Sequence, residues 1–176
     1  MEPRELYSLP VVIGGVVAIL FALWLARDVL SRDSGTPAMQ DIASRIYIGA
    51  VAFLRRQYTT IAMLAIVVAI VIGAVVGFFE KDHQLTRGVI TSLAFLFGAL
   101  LSGLSGFIGM YVAVRSNSRV ASAARRSLGE ALTVALRGGA VSGFLVVALG
   151  LLGVLIVYWV VYPLVEGALP PAAETP

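Results

Sequence analysis

The groups that could do chemistry in this chain are ten acids, thirteen Lys and Arg, and a single His. The acids are Glu2, Glu5, Asp28, Asp33, Asp41, Glu80, Asp82, Glu130, Glu166 and Glu174. None falls in the middle third of a long apolar run. Ionisable residues inside a membrane cost several kcal/mol and mark ion paths by default, so these runs by themselves line no proton or cation route. No carboxylates recur at a spacing suited to Mg²⁺, which asks for octahedral oxygen ligands. There is no cysteine, hence no thiolate metal site and no disulfide framework. His83 stands alone in a polar loop and cannot build a histidine cluster. Gly14-Gly15 and Gly138-Gly139 lack the strand context of a phosphate-binding loop and read as helix contacts. No catalytic, cofactor-binding or metal-ligating residue is assigned.

The remaining polar residues read as anchors. Arg137, beside Gly138-Gly139, is expected to snorkel to the membrane interface. Arg55-Arg56-Gln57-Tyr58 reads as an interfacial cluster, with arginines for headgroups and Tyr58 in the aromatic belt. Thr59, Thr60, Thr91 and Ser92 are expected to bond back to their own helices.

The elements that carry these residues follow from composition. The chain is 59% hydrophobic and 13% charged over 176 residues, with a mean hydropathy of +0.95. Soluble domains carry about 25% charged residues, so an all-α, polytopic integral membrane protein is expected. The high pI of about 9.6 reflects arginines beside apolar runs, with no nucleic-acid partner implied. Four spans of about 20 residues each can cross a bilayer core: 9–26, 59–79, 88–114 and 138–165. The first is read as retained and not as a secretory signal, because the leader MEPRELYSLP lacks a basic region and no cleavage site precedes Arg27. Pro10 is placed in its first turn, and Arg27 and Asp28 at its end. Residues 31–39, with Gly35 and Pro37, form a turn. The helical spacing of Ile42, Ile46, Ala50, Phe53 and Leu54 predicts a cytoplasmic helical extension over 39–58, continuous with the second span. Glu80 to Arg87 is a polar loop. Leu104 to Gly150 reads as two spans joined by a basic, alanine-rich connector. Residues 167–176 form a non-helical tail.

Small residues recur every four positions in the third span, at Gly98, Ser102 and Gly106 with Ser105 and Gly109 alongside. Gly139, Gly143, Gly150 and Gly153 repeat the device in the fourth. Such stripes let helix backbones approach closely in lipid, here toward one another or toward helices outside this chain. Charge sets orientation. Arg27, Arg32, Arg45, Arg55, Arg56, Arg115, Arg119, Arg125, Arg126 and Arg137 lie on one side, against Arg4, Lys81 and Arg87 on the other. The positive-inside rule then makes the Arg-rich connectors cytoplasmic and puts both termini outside.

Two stretches carry a family resemblance. SRIYIGAVAFLRRQYTTIA (Ser44 to Ala62) resembles the second-helix signature of the membrane-integral, ion-pumping inorganic pyrophosphatases. SGFIGMYVAVRSNSRVASAARRSLGEALTVALRGGAVSG (Ser105 to Gly143) resembles their third and fourth helices. Gly106-Phe107-Ile108-Gly109-Met110, Asn117-Ser118-Arg119, Ala123-Ala124-Arg125 and Gly139-Ala140-Val141 fall in the family's order. Ser116 and Ser142 depart from it, standing where Ala and Met are common.

The resemblance implies a sixteen-helix subunit that pairs as a homodimer in a bacterial or archaeal inner membrane. Hydrolysis of pyrophosphate, with Mg²⁺ and in some members K⁺, would drive H⁺ or Na⁺ translocation. In that family the Asp-rich motifs follow the fourth helix, so this chain is expected to be an N-terminal portion supplying outer-ring helices, inactive alone. Its basic connector would brace the inner ring and add positive potential near an anionic substrate. A non-catalytic four-helix membrane subunit is the alternative. A small exporter is disfavoured, because the first span lacks the buried acid that drug–proton exchange needs.

Overall fold

The computed structural model describes residues 3–79 and 84–166, with side chains from 8 to 79, from 86 to 161 and at 163. It contains four helices: α1 (Pro3–Ser31), α2 (Pro37–Phe79), α3 (Gln84–Ala124) and α4 (Leu128–Glu166). All four are long and apolar enough to cross a membrane. Their lengths of 29, 43, 41 and 39 residues correspond to about 43–64 Å at 1.5 Å per residue. The three longer helices therefore outreach a bilayer core of about 30 Å by a wide margin.

Helix ends follow local chemistry. Gly35 adopts φ +85°, a left-handed conformation that costs Gly least, and its N–H is bonded to Asp33 Oδ1 at 3.0 Å. Thr36 then caps α2 by accepting the Met39 N–H, with Pro37 in the first helical position, where its missing N–H does no harm. Ser127 caps α4 in the same way, taking the N–H of Glu130 at 3.1 Å.

Several element boundaries differ from those expected. The α1 helix runs on through Arg27 and Asp28 to Ser31, because both the carboxylate and the last-turn carbonyls find partners, described below. It also begins at Pro3, so Pro10 lies in the helix interior and not in the first turn. The basic connector is mostly helix: only Arg125, Arg126 and Ser127 separate α3 from α4. Its alanines and valines bury there, with Ala123, Ala131 and Val134 packed around Val29. Gln84 to Arg87, expected in a loop, begin α3. Residues 80–83, including His83, and the tail 167–176 lie outside the described residues. The second span and its extension form one unbroken helix, α2.

The helices do not close into a ring. The α3–α4 hairpin is central; α1 lies against α4 and reaches α3, whereas α2 packs on α3 alone. The apolar core sits where three helices meet: Ala22 and Leu25 of α1, Val112 of α3, and Val141 and Leu145 of α4. Most apolar side chains point outward, among them Phe78 (81% exposed) and Val154 (73%). In water that surface would favour aggregation; in a membrane it meets lipid or other helices.

The small-residue stripes divide into two groups. A Cβ built on Gly109 would collide with Ser142, one on Gly153 with Leu101, and one on Gly106 with the Tyr58 hydroxyl. These positions are used within the chain. Gly98, Gly139, Gly143 and Gly150 face open space; at Gly98 and Gly150, α3 and α4 part around a gap of about 410 Å³ also lined by Leu101, Ser102 and Ser105. The closest backbone approach lies elsewhere. A Cβ on Gly88 would stand 2.5 Å from the carbonyl oxygen of Gly73, and Ser92 donates across the same seam to Ala69 O at 2.7 Å.

Candidate functional site: a basic rim where the helices meet

The end at which α1 and α3 finish and α2 and α4 begin collects nearly all the described ion pairs. Asp28, one turn from the end of α1, receives Arg32 Nη2 at 3.0 Å and Arg137 Nη1 at 2.8 Å on the same carboxylate oxygen. The Arg137 guanidinium also lies over the Trp24 ring, 5.7 Å from its centroid. Arg137 is thus a clamp between α4 and α1, a pairing that its reading as an interfacial anchor did not include. Removing water from a guanidinium disfavours it unless a carboxylate answers, and Asp28 does so.

Arg119 of α3 performs a second clamp. Its Nε and Nη2 donate to Leu30 O at 3.1 and 2.8 Å, one of the last-turn carbonyls that a helix leaves without an intrahelical partner. Its Nη1 donates to Arg115 O at 2.6 Å. Asp33, in the turn after α1, accepts the Ser122 hydroxyl at 2.5 Å and Arg126 Nη1 at 3.4 Å. The Ser122 hydroxyl, the Gly35 N–H and the Arg126 charge together hold the Asp33 carboxyl below its usual range. Arg126 forks onto Glu130, with contacts of 2.9 and 2.6 Å, and that pairing raises its own pKa.

Tyr58 departs from the belt role read from the sequence. Its hydroxyl donates to Gly103 O at 3.0 Å, joining α2 to α3, and its ring meets Phe107 edge-on. The guanidinium groups of Arg55 and Arg56 have no hydrogen-bond or ion-pair partner among the described residues. Thr59, Thr60, Thr91 and Ser92 do bond back to the carbonyl four residues earlier. The long-range pairs were not visible in the sequence, since Asp28 and Arg137 are separated by 109 positions. The i,i+4 spacings of Asp28 with Arg32, Asp41 with Arg45 and Arg126 with Glu130 were the available signals.

No three His, Cys, Asp or Glu side chains gather among the described residues. Asp28, Asp33 and Glu130 are each already engaged by guanidinium groups. That donor set does not fit a Mg²⁺ ion, whose oxygen ligands must be free to face it. The rim can clamp helices and attract anions.

Comparison with known proteins gives a consistent answer. The family model described as inorganic H⁺ pyrophosphatase matches residues 16–172. The K⁺-insensitive pyrophosphate-energised proton pump 2 of Moorella thermoacetica is 53% identical over 141 residues, covering 80% of this chain and 19% of the relative. A K⁺-insensitive pump from Caldanaerobacter subterraneus subsp. tengcongensis is 44% identical, covering 79% and 20%. The pyrophosphate-energised membrane proton pump 3 of Arabidopsis thaliana is 40% identical, covering 84% and 19%. The chain therefore spans about a fifth of the length of these curated relatives. No solved structure matches.

Proposed function

This chain belongs to the inorganic H⁺ pyrophosphatase family, and on that premise we propose that it forms the N-terminal helices of a pyrophosphate-energised ion pump. The observation that carries the reading is the match over residues 16–172, together with 53% identity to a full-length pump. The four helices act as scaffold. Their ion pairs fix α1 against the α3–α4 hairpin, and the open glycine faces at Gly98, Gly139 and Gly143 receive further helices of the same subunit. Hydrolysis of Mg²⁺-pyrophosphate and ion gating belong to those further helices, and the subunit pairs as a homodimer.

H⁺ is favoured over Na⁺ as the pumped ion, and independence of K⁺ over dependence, by the names of the Moorella and Caldanaerobacter relatives. Orientation follows charge. The rim with its arginines faces the cytoplasm, and the opposite ends of the helices face outward, by the positive-inside rule.

A chimera tests the proposal. Residues 16–172 replace the corresponding stretch of the Moorella pump, and inverted membrane vesicles are assayed for pyrophosphate hydrolysis and pyrophosphate-dependent acidification. Both activities should survive, while this chain alone hydrolyses no pyrophosphate. A chimera that inserts and assembles as a dimer yet neither hydrolyses nor pumps would refute it. So would Mg²⁺-dependent turnover by the chain alone.

A further inference from the structure

A cleft of about 270 Å³ opens between the first turns of α2 and the last turns of α3, where Ser34, Gln40, Ser44, Ser118, Arg115 and Arg119 stand among apolar Ala43 and Val114. Two guanidinium groups border it and no carboxylate does. Arg115 and Arg119 lie one turn apart on the same helix face, a like-charge spacing that disfavours a helix. Neither makes a salt bridge among the described residues. The nearby acids are committed elsewhere: Asp41 to Arg45, Asp33 to Ser122 and Arg126, and Asp28 to Arg32 and Arg137.

Both guanidinium groups are also held in place. Arg115 lies over the Tyr111 and Tyr47 rings, 4.5 and 5.1 Å from their centroids. Arg119 spends three of its donor nitrogens on the carbonyls of Leu30 and Arg115. A guanidinium carries five N–H groups, so Arg119 retains two for a ligand. The Ser118 hydroxyl, between them in sequence, has no partner among the described residues. Fixed, unanswered cations with hydroxyls around a cleft of this size suit a tetrahedral oxyanion, for which charge-assisted and bidentate bonds are strongest.

We propose that this cleft binds a phosphoryl anion between Arg115 and Arg119, with Ser118 as a further donor. The ligand chemistry has two possible sources, free phosphate in solution or the headgroup of an anionic phospholipid. The site is complete within the described residues, so it does not depend on the pump reading.

The test uses the purified chain in nanodiscs. In phosphatidylcholine nanodiscs, inorganic phosphate is titrated at constant ionic strength against chloride, reading binding calorimetrically and through the thermal midpoint. In a second arm, phosphatidylglycerol replaces part of the lipid. Ser118→Glu, which sets a carboxylate between the two guanidiniums, should weaken binding at least tenfold, roughly the worth of one charge-assisted hydrogen bond. Arg115→Gln should do the same, while Arg45→Gln, outside the cleft, should leave binding unchanged. Saturable phosphate binding lost in the two cleft variants supports the free anion as source. Stabilisation by phosphatidylglycerol alone, lost in the same variants, supports the headgroup. Absence of both effects, or effects equal in all three variants, overturns the site. Helical content by circular dichroism separates loss of binding from loss of fold, and Arg115→Gln leaves the Arg119 clamp on Leu30 in place should Ser118→Glu fail to fold. A failed titration says nothing about the chimera, whose activity is measured separately.

Discussion

The Arg137–Asp28 clamp yields a number that can be checked. At 2.8 Å, Coulomb's law gives a gross attraction of about 6 kcal/mol at an effective dielectric constant near 20, and about 1.5 kcal/mol in bulk water. Arg137 and Asp28 keep 36% and 26% of their side-chain surface exposed, so screening and desolvation remove most of the larger figure. Arg32 on the same carboxylate partly compensates for loss of Arg137. The expected coupling energy is about 1.5–2 kcal/mol, between the exposed and the buried extremes. The Asp41–Arg45 pair, 61% and 78% exposed, supplies the internal standard and should give only about 0.3–0.5 kcal/mol. Two double-mutant cycles, Asp28→Asn with Arg137→Gln and Asp41→Asn with Arg45→Gln, measure both couplings by reversible unfolding in mixed micelles. Equal couplings for the two pairs, or a value below about 0.5 kcal/mol for the first, would show that the rim does not fasten α1 to α4.

Other outcomes follow from single contacts. Gly88→Ala should destabilise the chain by about 1–3 kcal/mol, because the new methyl meets the Gly73 backbone and no rotamer relieves it; Gly139→Ala, facing open space, should change stability little, read by thermal unfolding in detergent. Tyr58→Phe deletes the bond to Gly103 O and should cost about 0.5–1.5 kcal/mol, while Tyr58→Ala costs more through the lost ring contact with Phe107. Asp33 has a folded pKa below the usual 3.8, so its contribution is complete above that value and disappears as pH falls through the folded one. An unfolding titration should therefore lose stability on the acid side, and Asp33→Asn should flatten that part of the curve.

The sequence made the four apolar runs legible because hydropathy alone decides which segments tolerate lipid. The long second helix was legible too, since Ile42, Ile46, Ala50 and Phe53 keep a helical spacing up to the second run. Helix ends were harder to read. Asp28 and Arg119 look like stop signals, yet they continue their helices because other helices supply the guanidinium and the carbonyl that answer them. Those pairings connect positions 89 and 109 apart, beyond any local pattern. The glycine stripes were recognised as contacts, but spacing does not tell which face meets a neighbour. Gly109 does and Gly143 does not. The closest approach, at Gly73 and Gly88, was missed although Gly73 and Gly77 stand four apart in α2, the spacing that permits it.

The absence of any contact between α1 and α2 among the described residues bears on how the chain is made. Within this chain the two segments precede α3 and α4, yet neither can use the other as a docking surface. The docking surface for α2 is α3 and that for α1 is chiefly α4, so each lacks a neighbour from this chain until those helices follow. The apolar stretches of α1 and α2, of mean hydropathy 2.5 and 3.0, suit that wait, since lipid satisfies apolar side chains. Docking of α1 is thus deferred largely until α4 follows, whereas α2 needs only α3.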